Sequence, residues 1–183
     1  MHEATRPQAA RRLDFGQRLA RIWKHRWLDE GDVRRAAPPE LLHQLERYVA
    51  ASEARHSGEI RICIEAGLPM SYLWRDATPR ERAIAMFGKL RVWDTQHNNG
   101  VLIYLLLAEN AIEIVADRAI STPGNSDFWP KIVVGLSEHL KRGDFERGLT
   151  QAVEEISALL VQQFPVQAGE GNPNELSNRV EMR

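Results

Sequence analysis

Residues 101–107 read Val-Leu-Ile-Tyr-Leu-Leu-Leu, an unbroken apolar run, and no other stretch of this chain constrains its fold so tightly. Such a block has the character of a central strand covered on both faces. After Ala108, Glu109 and Asn110, residues 111–117 alternate, with Ile112 and Ile114 opposed to Glu113 and Val115. So short a link predicts a β-hairpin. Paired positions in it are expected to sum to about 218 or 219, which sets Asp117 and Arg118 opposite Val101 or Leu102.

The rest of the pattern builds around that hairpin. Residues 59–65 alternate strictly, with Ile60, Ile62 and Ile64 on one face, and are expected to be a strand packed on one side only. Helical spacing of Phe15, Leu19, Ile22, Trp23 and Trp27 predicts a helix over residues 13–27, with Arg18, Arg21 and His25 interleaved. Pro38, Pro39 and Glu40 open a second helix with a buried stripe of Leu41, Leu42, Leu45, Tyr48 and Val49. Gly58 closes that segment. Thr78, Pro79, Arg80 and Glu81 form a capping box, and Ile84, Phe87 and Leu90 are expected to face inward. Ser126 can cap a helix to about residue 142, with Pro130 in its first turn. Gly143 stops it, and Asp144 caps a last helix that turns Phe145, Leu149, Ile156 and Leu160 inward.

A strand–helix–strand unit is right-handed and parallel in nearly all known cases. The first two strands should therefore run parallel, with the third antiparallel beside the second. The expected fold is a three-layer α/β/α sandwich with a small mixed sheet, formed by a parallel crossover plus a β-hairpin, and an extra N-terminal helix. Three segments are expected: a basic arm over residues 1–37, the α/β domain over 38–164, and a flexible tail over 165–183, pinned by Leu176.

Composition narrows the function classes. A chain of 183 residues, 43% hydrophobic and 27% charged, is an ordinary globular length and balance. The single cysteine, Cys63, excludes an internal disulfide and a cysteine-based zinc cluster, and is expected to pack as a small hydrophobe. No apolar run long enough to span a bilayer occurs. Residues 1–12 are polar and lack an apolar core or cleavage site, so no secretory signal is expected. A cytoplasmic location, peripheral to the inner membrane at most, follows. Residues 1–35 hold nine Lys/Arg against five Asp/Glu, whereas the remainder holds fifteen against twenty. Docking of this basic arm on its own acidic body is the expected arrangement, with peripheral membrane contact through residues 15–27 as the alternative. The acidic body argues against nucleic acid as a partner.

The densest polar chemistry is the loop of Trp93, Asp94, Thr95, Gln96, His97, Asn98, Asn99 and Gly100. Hairpin geometry brings Asp94, Asn98, Asn99, Asp117 and Arg118 to one edge of the sheet, and parallel pairing of the first strand adds Glu59. Carboxylates and amide carbonyls suit Ca²⁺ or Mg²⁺. The same residues also fill loops simply because they bond their own backbone. His97 is the one histidine there, open to a role as ligand or general acid or to plain solvation. Trp93 is expected to anchor the loop, and Trp74 and Trp129 to sit at the edge of the core.

These segments carry a resemblance. Arg91, Val92, Trp93, Asp94 and Thr95, the run from Asn98, Asn99 and Gly100 through Ala108, and Glu113 to Arg118 together resemble the TPM domain family of thylakoid-lumen acid phosphatase-like domains. The likeness is to a short bacterial branch without signal peptide or transmembrane helix, and it spans residues 38–164, including Gly143, Asp144 and Phe145. It implies an α/β sandwich. Some members are described as acid phosphatases, some bind calcium, and many have no assigned activity. The family's Asp-Asn-Gly reads Asn98, Asn99, Gly100 here, which removes one formal charge and leaves Asp94 and Asp117 as the main charged ligands.

Phosphatase signatures are otherwise missing. Cys63 has no arginine six positions on, Arg55, His56 and Ser57 precede the first strand, and neither a Walker loop nor a Gly-x-Ser-x-Gly elbow occurs. No catalytic residue is assigned. The favoured reading is a divalent-cation-binding or interaction module near the cell envelope, beside a membrane-associated protein partner. The alternative is a weak metal-dependent acid phosphatase.

Overall fold

The apolar run becomes strand β2 (Gly100–Leu106), buried at every position. Strand β1 (Glu59–Glu65) lies parallel on one side of it and β3 (Ala111–Ala116) antiparallel on the other. The computed structural model describes residues 14–28, 30–120, 127–166 and 174–183. Its helices are α1 (Phe15–Trp27), α2 (Glu30–Ala36), α3 (Pro39–Glu53), α4 (Met70–Trp74), α5 (Pro79–Lys89), α6 (Phe128–Lys141) and α7 (Phe145–Gln163). A short strand β4 (Glu181–Met182) completes the sheet in the order β3-β2-β1-β4.

Alternation along the strands builds two cores. Ile60, Ile62, Ile64, Val101, Ile103 and Leu105 pack beneath α3, α6 and α7 with Leu45, Leu149 and Ile156. On the other face Cys63, Leu102, Tyr104 and Leu106 meet Ala83 and Met86 of α5 and Leu73 of α4. Each fully buried aliphatic side chain contributes about 1.5–3 kcal/mol, so both faces of β2 are held strongly. This is the expected α/β/α sandwich with an added N-terminal helix.

Several local expectations are corrected. β1 is buried on both faces. Its polar side is covered because Glu65 receives a bidentate contact from Arg82 (2.9 and 2.6 Å) and the Tyr104 hydroxyl (2.6 Å). Phe87 and Leu90 pack against the second core as expected, but Ile84 is 52% exposed, and the buried residues of α5 are Arg82, Ala83 and Met86. The Thr78–Glu81 capping box is present as expected. Val101 faces Ala116 and Leu106 faces Ala111, a register one or two residues tighter than the sequence suggested. A 3₁₀ turn at Leu107–Glu109 and a left-handed Asn110 close the hairpin. Ser126 lies outside the described residues. Asp127 and Asp144 take the N-cap positions of α6 and α7 without side-chain cap bonds.

The tail is pinned at Leu176 as expected, but the described part of it is more ordered than expected. Glu181–Met182 pairs in parallel with Cys63 and Ile64, Leu176 packs on the second core, and Glu59 accepts N–H bonds from Glu175 and Leu176 (3.0 and 3.3 Å). Residues 174–183 thus belong to the sheet layer.

Helix α1 docks on the body, but with the opposite face to the one its apolar spacing suggests. Arg18 pairs with Asp76, Arg21 with Glu109 (2.7 Å) and the Ala77 carbonyl (2.6 Å), and His25 with Glu109 (2.9 Å). Ile22 adds an apolar contact with the second core, and the rest of the sheet face beneath is covered by α4 and α5.

Candidate functional site

The loop between α5 and β2 is shaped by steric necessity at Gly100. A Cβ there would lie 1.9 Å from the Val92 carbonyl oxygen, so only glycine lets the loop close against its own start. Val92 is fully buried while Trp93 is exposed, which makes Val92 the anchor in place of Trp93. Asn98 takes φ +52°, a left-handed conformation that asparagine tolerates better than most residues.

The hairpin ladder continues past the formal strand ends. The Asp117 N–H donates to the Gly100 carbonyl (2.9 Å), and the Ala119 N–H to that of Asn98 (3.1 Å). Arg118 reaches back to Asn98 Oδ1 (3.0 Å). Asn98, Asn99, Asp117 and Arg118 are therefore gathered at one end of the sheet. Glu59 reaches the same end, because it pairs with Gly100.

Within that group the side chains differ in what is left to bind. Asn99 is fully buried; its N–H donates to Thr95 Oγ1 (3.1 Å) and its Nδ2 to Ser57 Oγ (3.3 Å). Its Oδ1 has no hydrogen-bond partner among the described residues. Asp117 is 7% exposed; Oδ1 accepts the Arg118 N–H (2.6 Å), and the buried Oδ2 has no hydrogen-bond partner among the described residues. Both orphaned oxygens belong to residues at this end of the sheet, whereas buried polar atoms are nearly always paired.

The remaining candidates stand apart. Asp94 is exposed, with Arg91 3.9 Å from its carboxylate, and His97 is exposed on the loop. The Glu59 carboxylate is occupied by the backbone of residues 175 and 176; burial raises its pKa, partly offset by those two bonds. Among the described residues, no three His, Cys, Asp or Glu side chains form an ion-binding group. Any cation here would rest on one buried carboxylate and on neutral oxygens. The orphaned oxygens fit that chemistry, although the formal charge is low for Ca²⁺.

Two contributors escaped the sequence reading. Ser57 fixes the Asn99 amide, and Thr95 fixes its backbone. Ser57 lies two residues before Glu59, itself paired with Gly100, so the parallel register was a usable signal. Glu175 is a third: it bonds the Gln96 N–H (2.8 Å) and ties the C-terminal segment to the loop. That contact has no local sequence signature.

The comparisons agree with this architecture. The solution structure of the BA42 protein from the psychrophilic bacterium Bizionia argentinensis superposes with a TM-score of 0.67 at 26% identity, covering 79% of this chain and 93% of that one. No curated protein matches the chain. The TPM domain family model matches residues 38–159, from the proline that opens α3 to near the end of α7. The chain belongs to the TPM domain family.

Proposed function

We propose that this TPM domain is a binding module whose loop end takes a divalent cation weakly, with Asp117 as the charged ligand. The carrying observation is the Asp117 carboxylate, 7% exposed with Oδ2 unpartnered. A buried carboxylate oxygen left without a donor costs free energy, and a hard cation would satisfy it. The Asn99 Oδ1 would supply a further, neutral oxygen from the loop. A site with so few carboxylates belongs in the weak range, with dissociation constants of roughly 10⁻⁴–10⁻³ M. Partner recognition near the cell envelope is the matching cellular role, the cation ordering the loop that a partner protein meets.

Hydrolysis is the lesser reading. Cys63 is wholly buried and burial pushes its thiol up to about 12, so it is no nucleophile at neutral pH. The test is an amide-resolved NMR titration with Ca²⁺ and, separately, Mg²⁺. Shifts confined to residues 94–100 and 117–119, lost in Asp117→Asn, are expected. Absence of shifts at millimolar ion, or shifts that survive the substitution, would overturn the assignment.

A further inference from the structure

Helix α1 is fastened to the body through Arg18, Arg21, Ile22 and His25, and among the described residues its aromatic edge is left uncovered. Phe15, Leu19, Trp23 and Trp27 recur at intervals of four and form one stripe, about 18 Å long at 1.5 Å per residue. Phe15, Trp23 and Trp27 are 78%, 63% and 75% exposed. Trp23 and Trp27 stack on each other, ring centroids 5.5 Å apart.

The helix is held in this orientation by more than its ion pairs. The buried His25 accepts the Leu68 N–H at Nδ1 (2.9 Å). A Cβ on Gly67 would lie 2.8 Å from the His25 carbonyl oxygen, so backbone meets backbone there. Glu109, the shared partner of Arg21 and His25, is buried enough to favour protonation, yet the His25 and Arg21 contacts outweigh this and hold its pKa below the usual value. A rigid mount with the aromatic stripe outward is a built surface, because an amphipathic helix free to roll would bury that stripe.

We propose that this stripe docks the protein on the surface of a bilayer that carries anionic lipid. The charge argues for that occupant. Of the four Lys/Arg in residues 14–28, Arg18 and Arg21 are engaged by Asp76 and Glu109, whereas Lys24 and Arg26, within a turn of both tryptophans, are exposed. Indole and phenyl rings suit the headgroup layer, and cations beside them meet lipid phosphate. A second copy seated on the same stripe would bring Lys24 and Arg26 toward their own duplicates, against like charge. At 13 residues the helix lies on the membrane and does not cross it. Helix α4, which packs against α1, leaves Met70 and Trp74 exposed as well. The inference stands apart from the cation reading.

The experiment uses the full chain and sedimenting vesicles of phosphatidylcholine alone or with about one-quarter phosphatidylglycerol. Binding to the anionic vesicles, a blue shift of tryptophan emission and release by high salt are expected. The Trp23→Ser/Trp27→Ser and Lys24→Glu/Arg26→Glu variants should each weaken binding at least about tenfold. Both alter only exposed side chains, so melting temperatures should match the wild type. Wild-type protein that stays in the supernatant with anionic vesicles would overturn the proposal. So would tryptophan variants that bind undiminished. A concentration-dependent dimer abolished by the tryptophan substitutions, without vesicle binding, would assign the stripe to a second copy instead.

Discussion

Replacing Arg82 by methionine tests whether the polar face of β1 is held by charge pairing or merely tolerated. Arg82 reaches Glu65 through Nε (2.9 Å) and Nη2 (2.6 Å), with the two side chains 10% and 4% exposed. The Tyr104 hydroxyl adds a third bond at 2.6 Å, and the guanidinium lies over the Tyr72 ring, 4.9 Å from its centre. The hydrogen bonds to Glu65 hold the Arg82 pKa above its ordinary value, outweighing the opposing effect of burial. Removing the guanidinium leaves Glu65 as a buried carboxylate with one donor. Breaking a buried pair in this way costs about 3–5 kcal/mol. At roughly 2–4 °C per kcal/mol for a chain of this size, melting should fall by about 6–20 °C. The assay is urea unfolding at neutral pH, alongside thermal melting. Adding Glu65→Gln to Arg82→Met removes the stranded charge yet leaves Tyr104 an acceptor, so the double variant should recover a large part of the loss. A single-variant cost under about 1 kcal/mol, the size of an exposed pair, would refute the reasoning. A double variant no better than Arg82→Met would refute it equally.

Burial raises the Glu53 pKa from 4.5 to about 8, partly countered by the Ile60 N–H bond. At this site the folded chain then holds one more proton than the unfolded chain between those values, so the contribution of Glu53 to stability is full below about 4.5 and is lost as pH rises toward 8. Glu53→Gln should flatten that decline, in urea titrations across the same window, by about 1.4 kcal/mol per pH unit; a wild-type profile in the variant would contradict this. Cys63, buried and with its thiol raised to about 12, should react with a thiol-specific reagent only at the rate of unfolding, and rapid labelling under native conditions would contradict the buried placement.

The pattern that was legible is the pattern set by local physics. An apolar run, strict alternation and a capping box each state their own environment, and β1, β2, β3 and α5 followed. Prolines placed the start of α3 for the same reason. What stayed hidden depends on contacts between distant segments. β1 alternates as a half-exposed strand does, and only the arrival of Arg82 and of residues 175 and 176 makes its polar face buriable. Glu181 and Met182 have no strand signature of their own and gain one from the open edge of β1. The loop is legible in the sequence as the densest polar stretch, but which of its oxygens are orphaned follows from Ser57 and Arg118, and no spacing rule reports that.

Helix α1 shows how amphipathicity alone can mislead about direction. Its stripe of Phe15, Leu19, Trp23 and Trp27 says that one face seeks an apolar host, without saying which host. Arg18, Arg21 and His25 decide the matter, because Asp76 and Glu109 stand where the helix meets the body. Glu109 belongs to the hairpin turn, whereas Asn98, Asn99 and Asp117 sit at the other end of β2. Six steps of strand at ~3.3 Å separate these ends by about 20 Å. The two surfaces thus share a rigid sheet and no side chains. Membrane docking through α1 and cation binding at the loop, as proposed, would therefore be done by different residues, and a substitution in one surface should leave the other unaffected.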